Sequence, residues 1–285
     1  MACTAVMASS SALSFKCLQV APNRGITTSA PAVETSGMAR LAAVKHSHSN
    51  MHTPLKVDAW EMALCNASLV GWYLTLVQSI CSGFHVGIPH ILSTYTPLNS
   101  PSLMQFSGAF ESIVQRELSY GRYIGPFSRS KLEALIRPFQ SSPLSLTPKP
   151  HKSNVYHLVQ NFSFPHDPTP SCCFINSFID SNDYLCTWGT FTAFALMVSC
   201  LPPGSQGAVR DISKAYRLIP LHLSQWPGMV IRYSNNDKFI IDLAMAFGLS
   251  GNAGIFGHLA DALADVLRSH GIGPIAKWVD DHVFI

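Results

Sequence analysis

Residues 277–285 read KWVDDHVFI, with Asp280 and Asp281 adjacent between two short apolar runs, the pattern of a tight hairpin carrying carboxylates at its tip. Working back from this stretch, residues 252–271, NAGIFGHLADALADVLRSHG, set Ile255, Leu259, Leu263 and Leu267 four residues apart, with Arg268 near the end and Gly271 just beyond it. That spacing predicts an amphipathic helix of about five turns. Residues 238–250, KFIIDLAMAFGLS, read as a strand running into a glycine turn, and residues 207–222, GAVRDISKAYRLIPLH, as a short strand that ends on Asp211 and opens into a polar, aromatic turn.

Two adjacent carboxylates between apolar strands repel each other, and burial raises their pKa values unless a cation compensates. A third carboxylate from the end of a neighbouring strand, Asp211, would complete a set of hard oxygen donors suited to Mg²⁺ or Mn²⁺, with coordination positions left for water and phosphate. Two such ions would activate an attacking hydroxyl and stabilise the leaving oxygen of a phosphoryl displacement. A DD dipeptide alone carries little information and is commonly a solvated turn. The order of elements carries more: a strand ending on an acid, a glycine turn opening a helix, then an acid-tipped hairpin, as in a polymerase palm.

Upstream, GRYIGPFS at 121–128 is followed by a short helical piece, SKLEALIRPF, at 130–139 and a Pro- and Ser-rich turn carrying Lys149, His151 and Lys152. NVYHLVQNFSFP at 154–165 favours a strand through Tyr156, Leu158 and Val159. The uncharged run at 184–201, YLCTWGTFTAFALMVSCL, predicts a buried helix. Between Glu61 and Glu111 there is no Lys, Arg, Asp or Glu. Its first part, ALCNASLVGWYLTLVQSICSGF, is long enough for a membrane span, but polar residues interrupt it. Leu69, Trp72, Tyr73, Leu76 and Ile80 recur at helical spacing, so an amphipathic helix packed on the domain is the expectation, with a membrane-associated non-enzyme as a rival.

The first 57 residues carry one acid, Glu34, against Lys16, Arg24, Arg40, Lys45 and Lys56 in an Ala/Ser/Thr background, read as a disordered leader with organelle targeting as the lesser alternative. With 285 residues, 47% of them hydrophobic, the chain can bury a core, while a net charge of +3 neither demands nor excludes a nucleic-acid partner. Eight cysteines without CxxC spacing, Cys172 and Cys173 adjacent, fit neither a disulfide framework nor a zinc site and are expected to be reduced core residues of an intracellular protein.

AVRDISKAYRLIPLH resembles the first palm motif of reverse transcriptases, AFGLSGNAGIFGHLADAL the second and KWVDDHVFI the third, the YxDD-type box. GRYIGPFS, LTPKPHKSNVYHLVQNFSFP and FINSFID resemble finger motifs. From about Leu55 to Ile285 the chain is similar to reverse transcriptases of fungal retrotransposons, particularly the DIRS-like, tyrosine-recombinase group. The resemblance implies an α/β (α+β) palm with a small antiparallel sheet and helices on one face. It divides the chain into a leader at 1–54, a helical extension at 55–120, fingers at 121–200 and a palm at 201–285 cut off before any thumb.

The implied activity is RNA-directed DNA polymerisation, with Mg²⁺ or Mn²⁺, a primed RNA or DNA template and deoxynucleoside triphosphates, the sequence leaving open whether a separate chain supplies a thumb or RNase H region; an inactive retroelement remnant that binds nucleic acid is the alternative. The expected location is the cytoplasm or nucleus, without stable membrane association. The resemblance implies that Asp211, Asp280 and Asp281 hold the metals and that Tyr216 lies under the incoming sugar, excluding a 2′-hydroxyl. Phe247, Gly248 and Leu249 would contact nucleotide and template, and Lys149 and Lys152 the triphosphate or template backbone. The chain departs from the family at His157, where a triphosphate-binding arginine is usual, and at Trp278, which replaces the tyrosine of the YxDD box.

Overall fold

The periodic apolar segment at the heart of the sequence forms the longest helix of the computed structural model, which describes residues 53–136, 138–152, 154–167, 174–234 and 237–285. In chain order the helices are α1 (Val57–Asn66), α2 (Leu76–Ser82), α3 (Ser102–Gln105), α4 (Ser107–Ser119), α5 (Arg129–Ile136), α6 (Phe191–Ser199) and α7 (Asn252–Ser269). The strands are β1 (Tyr123–Ser128), β2 (Leu144–Pro148), β3 (Tyr156–Gln160), β4 (Ala208–Asp211), β5 (Val230–Ser234), β6 (Lys238–Asp242), β7 (Ile275–Trp278) and β8 (Asp281–Phe284). They pair into three antiparallel sheets, ordered β1-β6-β5, β2-β3 and β4-β8-β7. The first of these joins a strand from the 121–200 stretch with two from beyond residue 201.

β6 is the spine of the core. Phe239, Ile240 and Ile241 are fully buried, as are Val230 and Ile231 on β5, and each such side chain contributes about 1.5–3 kcal/mol by leaving water. Ile241 joins the main core with Ile255, Phe256 and Leu259 of α7, whereas Ile240 and Ile231 pack with Phe110 and Val114 of α4 in a second cluster. α7 lies close to the segment ahead of α6, because Gly254 and Gly257 leave room there: a Cβ on Gly254 would collide with the Tyr184 carbonyl oxygen.

One polar network penetrates this core. Glu117 of α4 accepts two bonds from Arg122, at 2.6 and 3.0 Å, and one from Arg217 at 3.0 Å. Arg217 also donates to Asp242 at 2.6 Å, so α4, β1, β6 and the turn after β4 are tied together by four buried charges. Burial would raise the Glu117 carboxyl, but the hydrogen bond from Arg122 and the charges of Arg217 and Arg122 overcome it and lower it to about 2.

Three expectations are corrected here. The 63–84 stretch is not one helix: α1 and α2 are separated by a turn with Ser68 at φ 59°, and although Tyr73, Leu76 and Ile80 are buried, Trp72 is 81% exposed. Among the described residues no helix is long and apolar enough to cross a membrane. The 184–201 run is helical only over α6, where no residue is buried and Phe191 is 86% exposed. An all-apolar run has no polar face to show which side meets the protein, so its burial was not legible. The described cysteines, Cys65, Cys81, Cys186 and Cys200, are free as expected, but none is fully buried; Cys172, Cys173 and leader residues 1–52 lie outside the described residues.

Glu117→Gln should lower unfolding stability at pH 7 by about 3 kcal/mol, since two buried guanidinium groups lose their shared carboxylate. Because the folded-state pKa is depressed, this contribution is complete above the ordinary value of 4.5 and is lost as pH falls toward about 2. Urea unfolding across that window should show the wild-type and variant stabilities converging.

Candidate active site

The register of the β4-β8-β7 sheet brings the predicted acids together. Asp211, the last residue of β4, lies directly opposite Asp281, the first residue of β8. Asp281 is in turn opposite Trp278 on β7, which leaves Val279 and Asp280 as a two-residue turn, with Val279 in the left-handed region at φ 51°. The backbone N–H of Ile212 donates to the carbonyl of Asp280 at 2.8 Å, extending the β4-β8 pairing up to the tip. Asp211 and Asp281 are exposed, Asp280 is half-buried, and among the described residues none of the three is ion-paired.

The hairpin is held from below by a buried lysine. Lys277 of β7 bonds Asp261 of α7 at 2.9 Å and the Gly257 carbonyl at 3.3 Å, and its ammonium lies 4.3 Å from the centre of the Trp188 ring. His282, facing Lys277 across the strands, is buried, and burial pulls its pKa below the usual histidine value, so the ring is neutral at pH 7. Successive residues of β8 thus alternate between the solvent-facing carboxylate of Asp281 and a covered ring.

The acids do not close into a cage. Among the described residues no group of three or more His, Cys, Asp and Glu side chains is arranged to hold a metal ion. The donor set nonetheless suits Mg²⁺, which is commonly bound through one or two carboxylates, with water and substrate phosphates supplying the remaining oxygens.

Tyr216 sits beside these acids. Its ring packs at 5.1 Å against Phe247 and at 5.9 Å against Phe256, and burial, then the charge of Asp280, then Cys186 raise its hydroxyl pKa. Phe247 is 52% exposed and Leu249 is buried in the main core, so of the predicted Phe247-Gly248-Leu249 contact surface the Leu249 side chain is turned away from solvent. Gly248 has φ 107°, and a Cβ there would come 2.9 Å from the Gln160 carbonyl oxygen of β3. Asn176 clamps this turn by donating to the Gly248 carbonyl at 2.8 Å and accepting from the Ser250 N–H at 3.0 Å. It lies in the quoted FINSFID segment, yet nothing in a lone asparagine marked it for that task.

Lys149 and His157 line a cleft of about 170 Å³ together with Gln160, Phe247, Lys214, Arg116, Glu117, Arg217 and Asp242. Lys152 is exposed on the β2-β3 loop and is not part of that lining. The β2-β3 hairpin sets His157 opposite Thr147 and is closed by a bond from the Lys149 N–H to the Val155 carbonyl at 2.8 Å.

No family model matches the chain, and no curated protein matches it. Among solved structures, the chain is similar to the foamy viral protease-reverse transcriptase in complex with an RNA/DNA hybrid, at 14% identity and a TM-score of 0.50, over 93% of this chain and 30% of that one. A further structure of the foamy viral protein, with double-stranded DNA, aligns at 14% identity and a TM-score of 0.44, over 92% of this chain and 47% of that one. The first likeness speaks to fold: the chain has an α+β, reverse-transcriptase-like fold, and it spans 30% of the length of that viral chain.

Gly248→Ala should cost about 1–3 kcal/mol in urea unfolding, because a side chain at that φ is strained and meets the β3 backbone. Ser250→Ala, which keeps the backbone bond to Asn176, should change stability by less than about 0.5 kcal/mol.

Proposed function

We propose that this chain is the fingers-and-palm region of a retrotransposon RNA-directed DNA polymerase, its motifs resembling those of the DIRS-like group. The observation that carries this reading is the opposition of Asp211 and Asp281 across adjacent strands, beside the turn that holds Asp280. Asp211 on β4 and Asp280 and Asp281 at the neighbouring β7-β8 turn carry no ion pair among the described residues, and like charges on adjacent strands bring a purely structural protein no stability. The reverse-transcriptase-like fold supports the same reading.

In this reading Asp211, Asp280 and Asp281 hold divalent magnesium or manganese, which when bound supplies Lewis-acid activation of the primer hydroxyl and stabilisation of the leaving phosphate. Tyr216, braced by Phe247 and Phe256, presents a ring edge where the sugar of a deoxynucleotide lies and leaves no room for a 2′-hydroxyl. Phe247 and the Gly248 backbone face the nucleotide and template, with Gly248 allowing an approach that a side chain would block. Lys149 and His157 face the triphosphate from the cleft wall, and Lys152 reaches template phosphates from the loop. The partners are a primed RNA or DNA template and deoxynucleoside triphosphates, in the cytoplasm or nucleus.

Primer extension with Mg²⁺ or Mn²⁺ tests the proposal. Asp211→Ala and Asp280→Ala should each reduce incorporation by about 10³-fold or more, as expected when the groups holding the charge-stabilising ions are removed. Tyr216→Ala should keep deoxynucleotide incorporation measurable and raise ribonucleotide incorporation. Equal rates for wild type and Asp280→Ala would reduce the chain to a nucleic-acid-binding remnant of the fold.

A further inference from the structure

Two histidines meet where the 83–91 segment crosses the chain that leads on from Tyr216. Phe84 and Leu221 form a parallel bridge, closed by the Phe84 N–H on the Pro220 carbonyl at 2.8 Å and the His222 N–H on the Phe84 carbonyl at 3.0 Å. The next residue on each side is a histidine, so His85 and His222 share one face, and their rings stack with centres 4.1 Å apart. Ser224 stands beside both: its Oγ lies 2.9 Å from the Nδ1 of His222 and 3.5 Å from the Nδ1 of His85.

The backbone beneath this trio is pinned. Gly83, at φ 98°, runs so close to the bridge that a Cβ there would collide with the Leu221 carbonyl and the His222 nitrogen. On the other side of His85, the buried Gln225 side chain accepts from the N–H groups of Val86 and Ile88 at 3.0 and 2.9 Å. His85 is exposed and His222 half-buried, so the two rings open to solvent from a fixed base. A rigid base that presents two imidazoles side by side is the arrangement a metal site needs before the ion arrives.

We propose that His85 and His222 bind one divalent transition-metal ion of the zinc class through their Nδ1 atoms, with the Ser224 hydroxyl beside it and water completing the shell. Ligand atoms about 2.0–2.1 Å from a tetrahedral ion lie about 3.3–3.4 Å from one another. The two N···O separations, 2.9 and 3.5 Å, bracket that spacing. The Nδ1 of His222 also accepts the Ser224 backbone N–H at 3.3 Å, which makes it the unprotonated nitrogen, the form that ligates a metal. Stacked rings hold their lone pairs side by side, and a rotation of the exposed His85 ring brings both onto one ion. Imidazole nitrogen favours zinc, copper and nickel over magnesium, so this site is chemically separate from the carboxylates of β4 and the β7-β8 turn. A bound ion clips the 83–91 segment to the chain after Tyr216, a role independent of any polymerase activity.

The test is calorimetric titration of the full chain with Zn²⁺ at neutral pH in excess Mg²⁺, for wild type, His85→Ala, His222→Ala and Ser224→Ala. The tract HSHSNMH at 46–52 would take the same ion, so each protein is also titrated with His46→Ala, His48→Ala and His52→Ala in place. One zinc site should persist in that background. His85→Ala and His222→Ala should each weaken it by at least about tenfold. Ser224→Ala should weaken it by less than about fivefold, because water can take the place of the hydroxyl. A second measurement needs no substitution: in the natural chain Zn²⁺ should slow carbethoxylation of His85 and His222, followed by peptide mass spectrometry, and leave the exposed His270 reacting as before. Loss of all zinc binding once the 46–52 histidines are replaced, binding to His85→Ala as tight as to its parent, or unchanged carbethoxylation of both histidines would overturn the proposal.

Discussion

Two arginines and two carboxylates buried in the middle of the molecule decide how its parts are held. Arg217 is the residue after Tyr216, and its guanidinium reaches Asp242 at the end of β6 and Glu117 on α4. Arg122, at the entry to β1, completes the set through the same glutamate. Ions removed from water are tolerated only when each finds its counter-charge in good geometry, so the network penalises any displacement of one element against the others. The turn that carries Lys214 and Tyr216 is therefore fixed by the β1-β6-β5 sheet and α4, although the acids it leads from belong to a different sheet.

That arrangement separates two electrostatic environments by a few side chains. On one side are the carboxylates of β4 and the β7-β8 turn, on the other the cationic lining of the cleft. Tyr216 and Phe247, packed ring against ring, stand between them. The acidic side favours cations and the basic side favours anions.

Much of this was legible in the sequence, and the reasons for what was not are physical. The four-residue spacing of Ile255 and Leu259 gave α7, and the DD pair between apolar runs gave the β7-β8 hairpin with Asp211 alongside, because periodicity and turn chemistry are local signals. The left-handed backbone of Lys214, between Asp211 and Tyr216, could not be read from residue type, since a lysine in a polar turn carries no such signal. The Glu117, Arg122, Arg217 and Asp242 network was equally hidden, because pairings up to 100 residues apart in sequence leave no spacing to detect. The exposure of α6 was missed for the opposite reason: uniform hydrophobicity announces burial without saying against what.

The strand that carries Asp211 has one further property. Among the described residues β4 is at the margin of its sheet, bonded only to β8, and all four of its residues are exposed, Val209 at 59%. With Phe191 and Leu196 of α6 and Trp278 of β7 also open to solvent, this margin offers both a free row of backbone amides and greasy side chains around it. A purified preparation concentrated without detergent or a covering partner would therefore tend to stick to itself, strand to strand, at the very element that bears the first acid.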